Sequence, residues 1–142
     1  VVRIRTERLC LRPPSASDAE ALYDLFADPE VTHALGREPV SAVGQVRAMI
    51  DEARAGWSAD RVGPFVLETD AADPQVVGQA GLMIFDTRGW TPSSRADAGS
   101  HAQVELGWAL RRVHWGRGYA TEAAGPSVTG PARVDRPVGS CH

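Results

Sequence analysis

Trp115-Gly116-Arg117-Gly118-Tyr119-Ala120 places small residues at alternate positions directly before Thr121-Glu122-Ala123-Ala124, a helix-forming run. Glycine lets backbone approach a phosphate with no Cβ in the way, and a helix N-terminus offers unpaired N–H groups at the positive end of its dipole. A pyrophosphate fits this arrangement, and so does an ordinary strand-to-helix turn. Two other glycine loops fail on spacing. A dinucleotide fingerprint needs glycine at position 121, which is Thr121, and a P-loop needs a Gly-Lys-Ser/Thr that the sequence lacks. Arg117 adds a charge that points either at a phosphate or into solvent.

The segment just before the loop, Val104 to Leu110, alternates like a strand with two unlike faces. Val104, Leu106, Trp108 and Leu110 are expected to face a core. Glu105, Gly107 and Ala109 then face the other way, one carboxylate followed by two small residues that leave room for a narrow ligand arm. Glu105 is the candidate general base, because attack by an amine requires loss of a proton. The alternative is a strand glutamate paired with an arginine. His114 abuts the loop and reads either as a phosphate or acceptor contact or as an exposed loop imidazole. Tyr119 either donates a hydrogen bond or packs behind the loop. His33, His101 and His142 are scattered, and no metal-ligand spacing emerges.

These residues need a frame, and the sequence outlines one. Val2 to Leu11 alternates as a first strand that ends before Pro13-Pro14. Ser17-Asp18 reads as the N-cap of a helix with Ala19, Leu22, Leu25 and Phe26 on its inner face. Asp28-Pro29 opens a short helical turn through Val31 to Leu35. Ser41 caps a third helix with Val43, Val46, Met49, Ile50 and Ala53 inside, closing at Gly56. After Gly63-Pro64, Phe65 to Leu67 and Val76 to Phe85 read as an antiparallel pair joined by a turn at Asp70 to Pro74. Thr87 to Ser100 reads as a long exposed loop.

The 142 residues fit one domain of ordinary composition, with 43% apolar and 23% charged residues. A net charge of -3 argues against nucleic acid as a partner, which would call for clustered Lys and Arg. No apolar run is long enough to span a bilayer, and the first residues lack a secretion-signal plan, so a cytoplasmic location is expected. Cys10 and Cys141 have neither metal nor disulfide-framework spacing and are expected as free thiols.

Glu105-Leu-Gly-Trp-Ala-Leu followed by Trp115-Gly-Arg-Gly-Tyr-Ala-Thr-Glu-Ala resembles motif A of the GNAT N-acetyltransferase superfamily. Thr6-Glu7-Arg8-Leu9-Cys10-Leu11-Arg12-Pro13, Asp18 to Leu22 and Asp28-Pro29-Glu30-Val31 are similar to its RimJ/RimL-like branch, so that the likeness runs over about residues 3 to 124. The resemblance implies an α/β (α+β) fold, a mixed and mainly antiparallel sheet flanked by helices. It also implies acetyl-CoA as cosubstrate. The pyrophosphate would rest on the amides of Gly116, Arg117, Gly118, Tyr119 and Ala120, next to Trp115 and Thr121, with the pantetheine along Ala109, Leu110 and Arg111. The acetyl group would pass directly to a primary amine, of a protein N-terminus or of a small molecule. Tyr23, Phe26 and Trp57 would line an acceptor pocket, although Phe26 at helical spacing also reads as core. Trp115 stands where the superfamily usually has Gln or Arg.

In that family the helix after the loop runs on for several turns and more strands follow. Here Gly125-Pro126 is expected to end the helix after little more than a turn, since an interior proline costs about 3 kcal/mol. The expected division is therefore a partial acetyltransferase domain, 1–124, and an irregular tail, 125–142, without period, as a reading out of frame would produce. A chain cut in this way would lack the C-terminal half of the fold and leave a sheet edge open to homodimerisation. Besides the enzyme, this leaves a non-catalytic remnant or an acyl-CoA-binding or interaction module as alternatives.

Overall fold

Residues 3–129 are described by a computed structural model. The first expected strand is in fact a tight hairpin, β1 (Ile4–Arg5) and β2 (Leu9–Arg12), paired antiparallel through Ile4–Leu11 and Arg5–Cys10. The alternation breaks at Thr6, whose amide donates to the Leu9 carbonyl and closes the turn. Cys10 is buried in β2 as expected of a small core residue. The free-thiol expectation concerns the pair and so turns on the second cysteine as well. Cys141 lies outside the described residues.

Pro13-Pro14 ends β2, and a single 3-10 turn, Ala16–Asp18, leads into α1 (Ala19–Phe26). Asp18 takes the expected N-cap position of α1, but its side chain makes no capping bond to that helix. It is the last residue of that turn, and its carboxylate reaches back to accept from the Ser15 amide at 2.7 Å. The same carboxylate takes two bonds from the Arg12 guanidinium, at 2.8 and 2.6 Å, while Arg12 Nε donates to Glu68 at 2.6 Å. One arginine thereby ties β2 to α1 and to the neighbouring strand, and two carboxylates hold its pKa up against the opposing effect of burial.

Helix α2 (Pro29–Ala34) begins as the sequence suggests. Asp28 caps it by accepting from the Glu30 amide at 3.0 Å, and Pro29 occupies the first turn, where no N–H is needed. Helix α3 (Val43–Asp60) opens with Gln45 reaching back to the amides of Ser41 and Ala42. It does not close at Gly56. It runs on to Arg61, which takes the left-handed φ of 53° that ends the helix.

Strands β3 (Pro64–Thr69) and β4 (Val76–Asp86) form the expected antiparallel pair, with a bulge between Leu67 and Glu68. The segment expected as a featureless loop holds two short elements, β5 (Thr91–Pro92), paired with Phe85 and Asp86, and α4 (Arg95–Ala98). Ser94 caps α4 by accepting from the Asp97 amide at 3.0 Å. Strand β6 (Ala102–Leu110) then lies antiparallel to β4 over its whole length, from Gly78–Leu110 to Asp86–Ala102. The sheet order is β1-β2-β3-β4-β6, with β5 on the β3 side of β4.

Helix α5 (Tyr119–Thr129) continues through Gly125-Pro126, which corrects the expected stop after little more than a turn. Tyr119, Ala123 and Ser127, four residues apart, form a buried stripe against the sheet. Packing of that stripe outweighs the cost of one proline. The remaining expectation for the tail concerns residues 130–142, outside the described residues.

The two sheet faces carry separate cores. On one, Tyr119 and Ala123 of α5 pack with Leu9, Leu11, Phe65 and Leu67. On the other, α1, α2 and α3 bring Leu22, Phe26, Val31 and Val46 onto Val66 and Ala109. Adjacent residues of β3 alternate between the two faces, as a strand buried on both sides requires. Among the described residues no helix is long and apolar enough to cross a membrane.

Candidate functional site

Strand β6 and α5 meet at the quoted loop, and their junction is built by backbone. Arg111 donates its amide to the Val77 carbonyl at 2.9 Å, one step beyond the Gly78–Leu110 pair, and Thr87 does the same to His101 at the other end. In an antiparallel ladder these bonds recur at alternate residues. Glu105, Gly107, Ala109 and Arg111 thus turn their peptide groups to β4, while Val104, Leu106, Trp108 and Leu110 turn theirs to the opposite edge. No described strand pairs with that edge.

This geometry revises the expected faces of β6. Leu110 and Ala109 are buried, on opposite faces, but Val104 is 40% and Trp108 52% exposed, so the stripe expected to face a core is open along much of its length. The peptide groups of Ala109 and Arg111 are already bonded within the sheet, and those of Trp108 and Leu110 are the ones presented outward. The Leu110 carbonyl accepts from the Trp115 indole at 2.7 Å.

After β6 a 3-10 turn (Arg112–His114) reverses the chain, pinned by Arg112 Nε on the α2 cap Asp28 at 2.7 Å. Gly116 and Gly118 follow with φ of 75° and 81°, values that an L side chain adopts only with strain. A Cβ at Gly116 would meet nothing within 4 Å, so the space above the loop is open. The amides of Gly116 to Thr121 donate to no acceptor among the described residues, the next amide, of Glu122, being the first to bond, to Gly118 at 3.0 Å. Six consecutive N–H groups without an acceptor among the described residues, at the head of an eleven-residue helix, have the arrangement of an anion nest. Arg117 is exposed beside it.

Beside the loop, Val31 and Ala34 of α2 and its C-cap Leu35 join Trp108, Leu110 and Trp115 around a pocket of about 270 Å³. Glu105 lies farther up β6, exposed, accepting from Gln103 Nε2 at 3.2 Å. His114 is half buried rather than exposed. Burial, and then the charges of Arg117 and Arg111, hold its pKa below 6.5, and its buried Nδ1 has no partner among the described residues. Tyr119 is buried behind the loop, edge-on to His114. Phe26 is core, and Trp57 packs on Phe65 with its indole bonded to the Pro64 carbonyl at 2.9 Å, so neither lines an open pocket. Among the described residues no cluster could hold a metal.

Two residues given no role by the sequence reading join the loop from a distance. Arg8, from the β1–β2 turn, lies with its guanidinium carbon 4.4 Å from the centre of the Tyr119 ring and its Nε 2.7 Å from Glu122. Glu122 also accepts from the Arg8 amide at 2.9 Å and from the Thr6 hydroxyl. Both stand inside quoted motifs, but no local spacing links residues so far apart.

The chain belongs to the GNAT acetyltransferase family, and its α/β sheet flanked by helices is that fold. Residues 8–129 match the family described as acetyltransferase (GNAT) domain. The chain is 34% identical over 121 residues to the uncharacterized N-acetyltransferase p20 of Bacillus licheniformis, a match covering 83% of this chain and 59% of that protein. It is 27% identical over 126 residues to the uncharacterized N-acetyltransferase YoaA of Bacillus subtilis (strain 168), covering 89% and 64%. The crystal structure of an acetyltransferase from Agrobacterium tumefaciens str. C58 superposes with a TM-score of 0.68 at 28% identity, over 91% of this chain and 66% of that one. The chain thus spans about three fifths of the length of these curated relatives.

Proposed function

We propose that the chain binds acetyl-CoA and serves an N-acetyltransferase of the RimJ/RimL-like branch, acting on a primary amine of a protein N-terminus or of a small molecule. The observation that carries this reading is the nest at Gly116 to Thr121, six amides around two glycines of positive φ, without an acceptor among the described residues. Its donors, the space above Gly116 and the flanking Arg117 suit a pyrophosphate. The outward peptide groups of Trp108 and Leu110, beside the 270 Å³ pocket, suit an extended amide-bearing arm. Bound acetyl-CoA would supply an acyl thioester, from which the acetyl group passes to the amine while the thiol departs.

The work left to the chain is positioning and proton handling. The loop amides and Arg117 hold the phosphates, and β6 aligns the arm. Glu105, exposed on the same strand, accepts the proton that the attacking amine loses. His114 stands at the loop, where burial and then the charges of Arg117 and Arg111 disfavour its charged form.

Calorimetric titration of acetyl-CoA into the chain and into Gly116→Asp tests the reading. A Cβ at Gly116 meets no atom within 4 Å, but its φ of 75° strains any L residue, so Gly116→Ala, with the same strain and no charge, is titrated alongside, and the carboxylate should weaken binding well beyond the alanine. Equal binding by the two variants would remove the loop from the site.

The open edge of β6 favours a second reading, an interaction module that pairs with a second copy through that strand. A monomeric mass at all concentrations in sedimentation, together with acetyl-CoA binding, would exclude it.

A further inference from the structure

We propose that Arg8 binds the nucleotide end of the cofactor and makes the site select coenzyme A over its 3′-dephospho form. This rests on the reading of the loop as the pyrophosphate site, and extends it to a residue 110 positions away in sequence. The order of features along the site sets the direction. The pocket lined by Trp108, Leu110 and Trp115 lies at the end of β6, the glycine loop follows, and Arg8 stands at its far end, with Nη2 3.5 Å from where a Cβ of Gly118 would be. A ligand with its acyl arm in the pocket and its pyrophosphate on the loop brings its nucleotide towards Arg8.

The guanidinium is prepared for such a ligand. Its plane is held by the Tyr119 ring on one side and by the Nε bond to Glu122 on the other. Nη1 and Nη2 have no acceptor among the described residues, and the side chain is 43% exposed. Glu122, the carboxylate that would repel a phosphate, is occupied on both oxygens by Thr6 and Arg8. A fixed guanidinium with its outer fork open matches phosphate oxygens, and a phosphate monoester carries more charge to pair with it than a bridging diester does. Coenzyme A differs from its dephospho form by one such monoester, on the ribose.

The test is calorimetry with coenzyme A and 3′-dephospho-coenzyme A on the chain, Arg8→Gln, Arg8→Lys and Arg117→Ala. The chain should prefer coenzyme A about tenfold, the size of one charge-assisted hydrogen bond. Arg8→Gln should bring coenzyme A down to the dephospho level and leave dephospho affinity within about twofold, with Arg8→Lys between the two. Arg117→Ala should weaken both ligands alike. The proposal is overturned if the unmodified chain does not discriminate, if Arg8→Gln weakens both ligands equally, or if discrimination is lost with Arg117 instead. Failure of a folded chain to bind either ligand would instead sink the pyrophosphate reading itself, whereas binding without discrimination would sink only the role of Arg8.

Discussion

The carboxylate of Glu122 in the first turn of α5 is held by residues of the opening hairpin, its Oε1 lying 2.7 Å from Nε of Arg8. The helix that starts at the glycine loop is in this way fastened to the β1–β2 turn by a carboxylate. Burial alone would raise the Glu122 pKa, but the bonds from Thr6 and Arg8 outweigh it and hold it below 4.5. A carboxyl with a lower pKa folded than unfolded stabilises the fold above its unfolded pKa, and that stability is lost as pH falls through the folded value. Melting temperature should therefore fall on acidification below about pH 4.5, and Glu122→Gln should melt lower near neutrality while losing less in acid. Asp18, Asp28 and Asp86 are also held low, so the difference between the two proteins is the quantity to measure. Parallel curves would assign the acid response to the aspartates.

Gly78 sets how closely β6 can approach. A Cβ there would collide with the Ala109 carbonyl oxygen and lie 2.9 Å from Leu110 Cα, both backbone atoms that cannot turn aside. Gly78→Ala should destabilise the fold by about 1–3 kcal/mol, as overpacking does, and shift the Trp108 to Arg111 segment. Chemical denaturation gives the first figure and amide chemical shifts the second. An unchanged midpoint would mean that β6 slides without cost.

Trp115→Phe removes the indole donor from the Leu110 carbonyl while keeping an aromatic ring. Loss of one partly buried hydrogen bond should cost about 1 kcal/mol in denaturant unfolding. The freed carbonyl also becomes available to a ligand, so acetyl-CoA affinity should fall less than stability does, or rise. A large loss of affinity with unchanged stability would place the indole itself against the ligand.

Glu105→Gln keeps size and hydrogen bonding and removes proton acceptance. With an amine acceptor, turnover should fall about 100-fold while acetyl-CoA affinity stays. The check is a pH–rate profile beside a binding titration. A profile and rate equal to the parent would leave Glu105 as a solvated strand residue.

The antiparallel β3–β4 pair, the α2 cap at Asp28-Pro29 and the inner faces of α1 and α3 were legible because each depends on neighbours within a few residues. Pro126 misled for the opposite reason. Its local cost is real, but Tyr119, Ala123 and Ser127 pack against strands distant in sequence, and a window around residue 126 contains no sign of that packing. Helix α4 was readable in principle, since Ser94 with Asp97 three residues on is a capping pattern, but the surrounding Gly, Ser and Pro masked it. At the site, the glycines and the following helix were visible as a motif. Arg8 and Glu122 became a pair only in three dimensions, as did the half-burial of His114. Strand β6 was legible but its burial was not: both faces are covered only at Ala109 and Leu110, and periodicity separates two faces without saying whether either is packed.

The outward peptide groups of β6 recur at every second residue, so the strand works as a ruler with marks about 6.8 Å apart. The Leu110 mark is half closed by the Trp115 indole, while neither peptide group of Trp108 has a partner among the described residues. A flexible ligand with two amides near that spacing can engage adjacent marks together, and the second amide binds at the high effective concentration set by the first. A shorter thioester with one amide, or with two at another distance, reaches a single mark. If β6 holds the acyl carrier as proposed, length discrimination would follow from the strand's repeat, independently of any side chain along it.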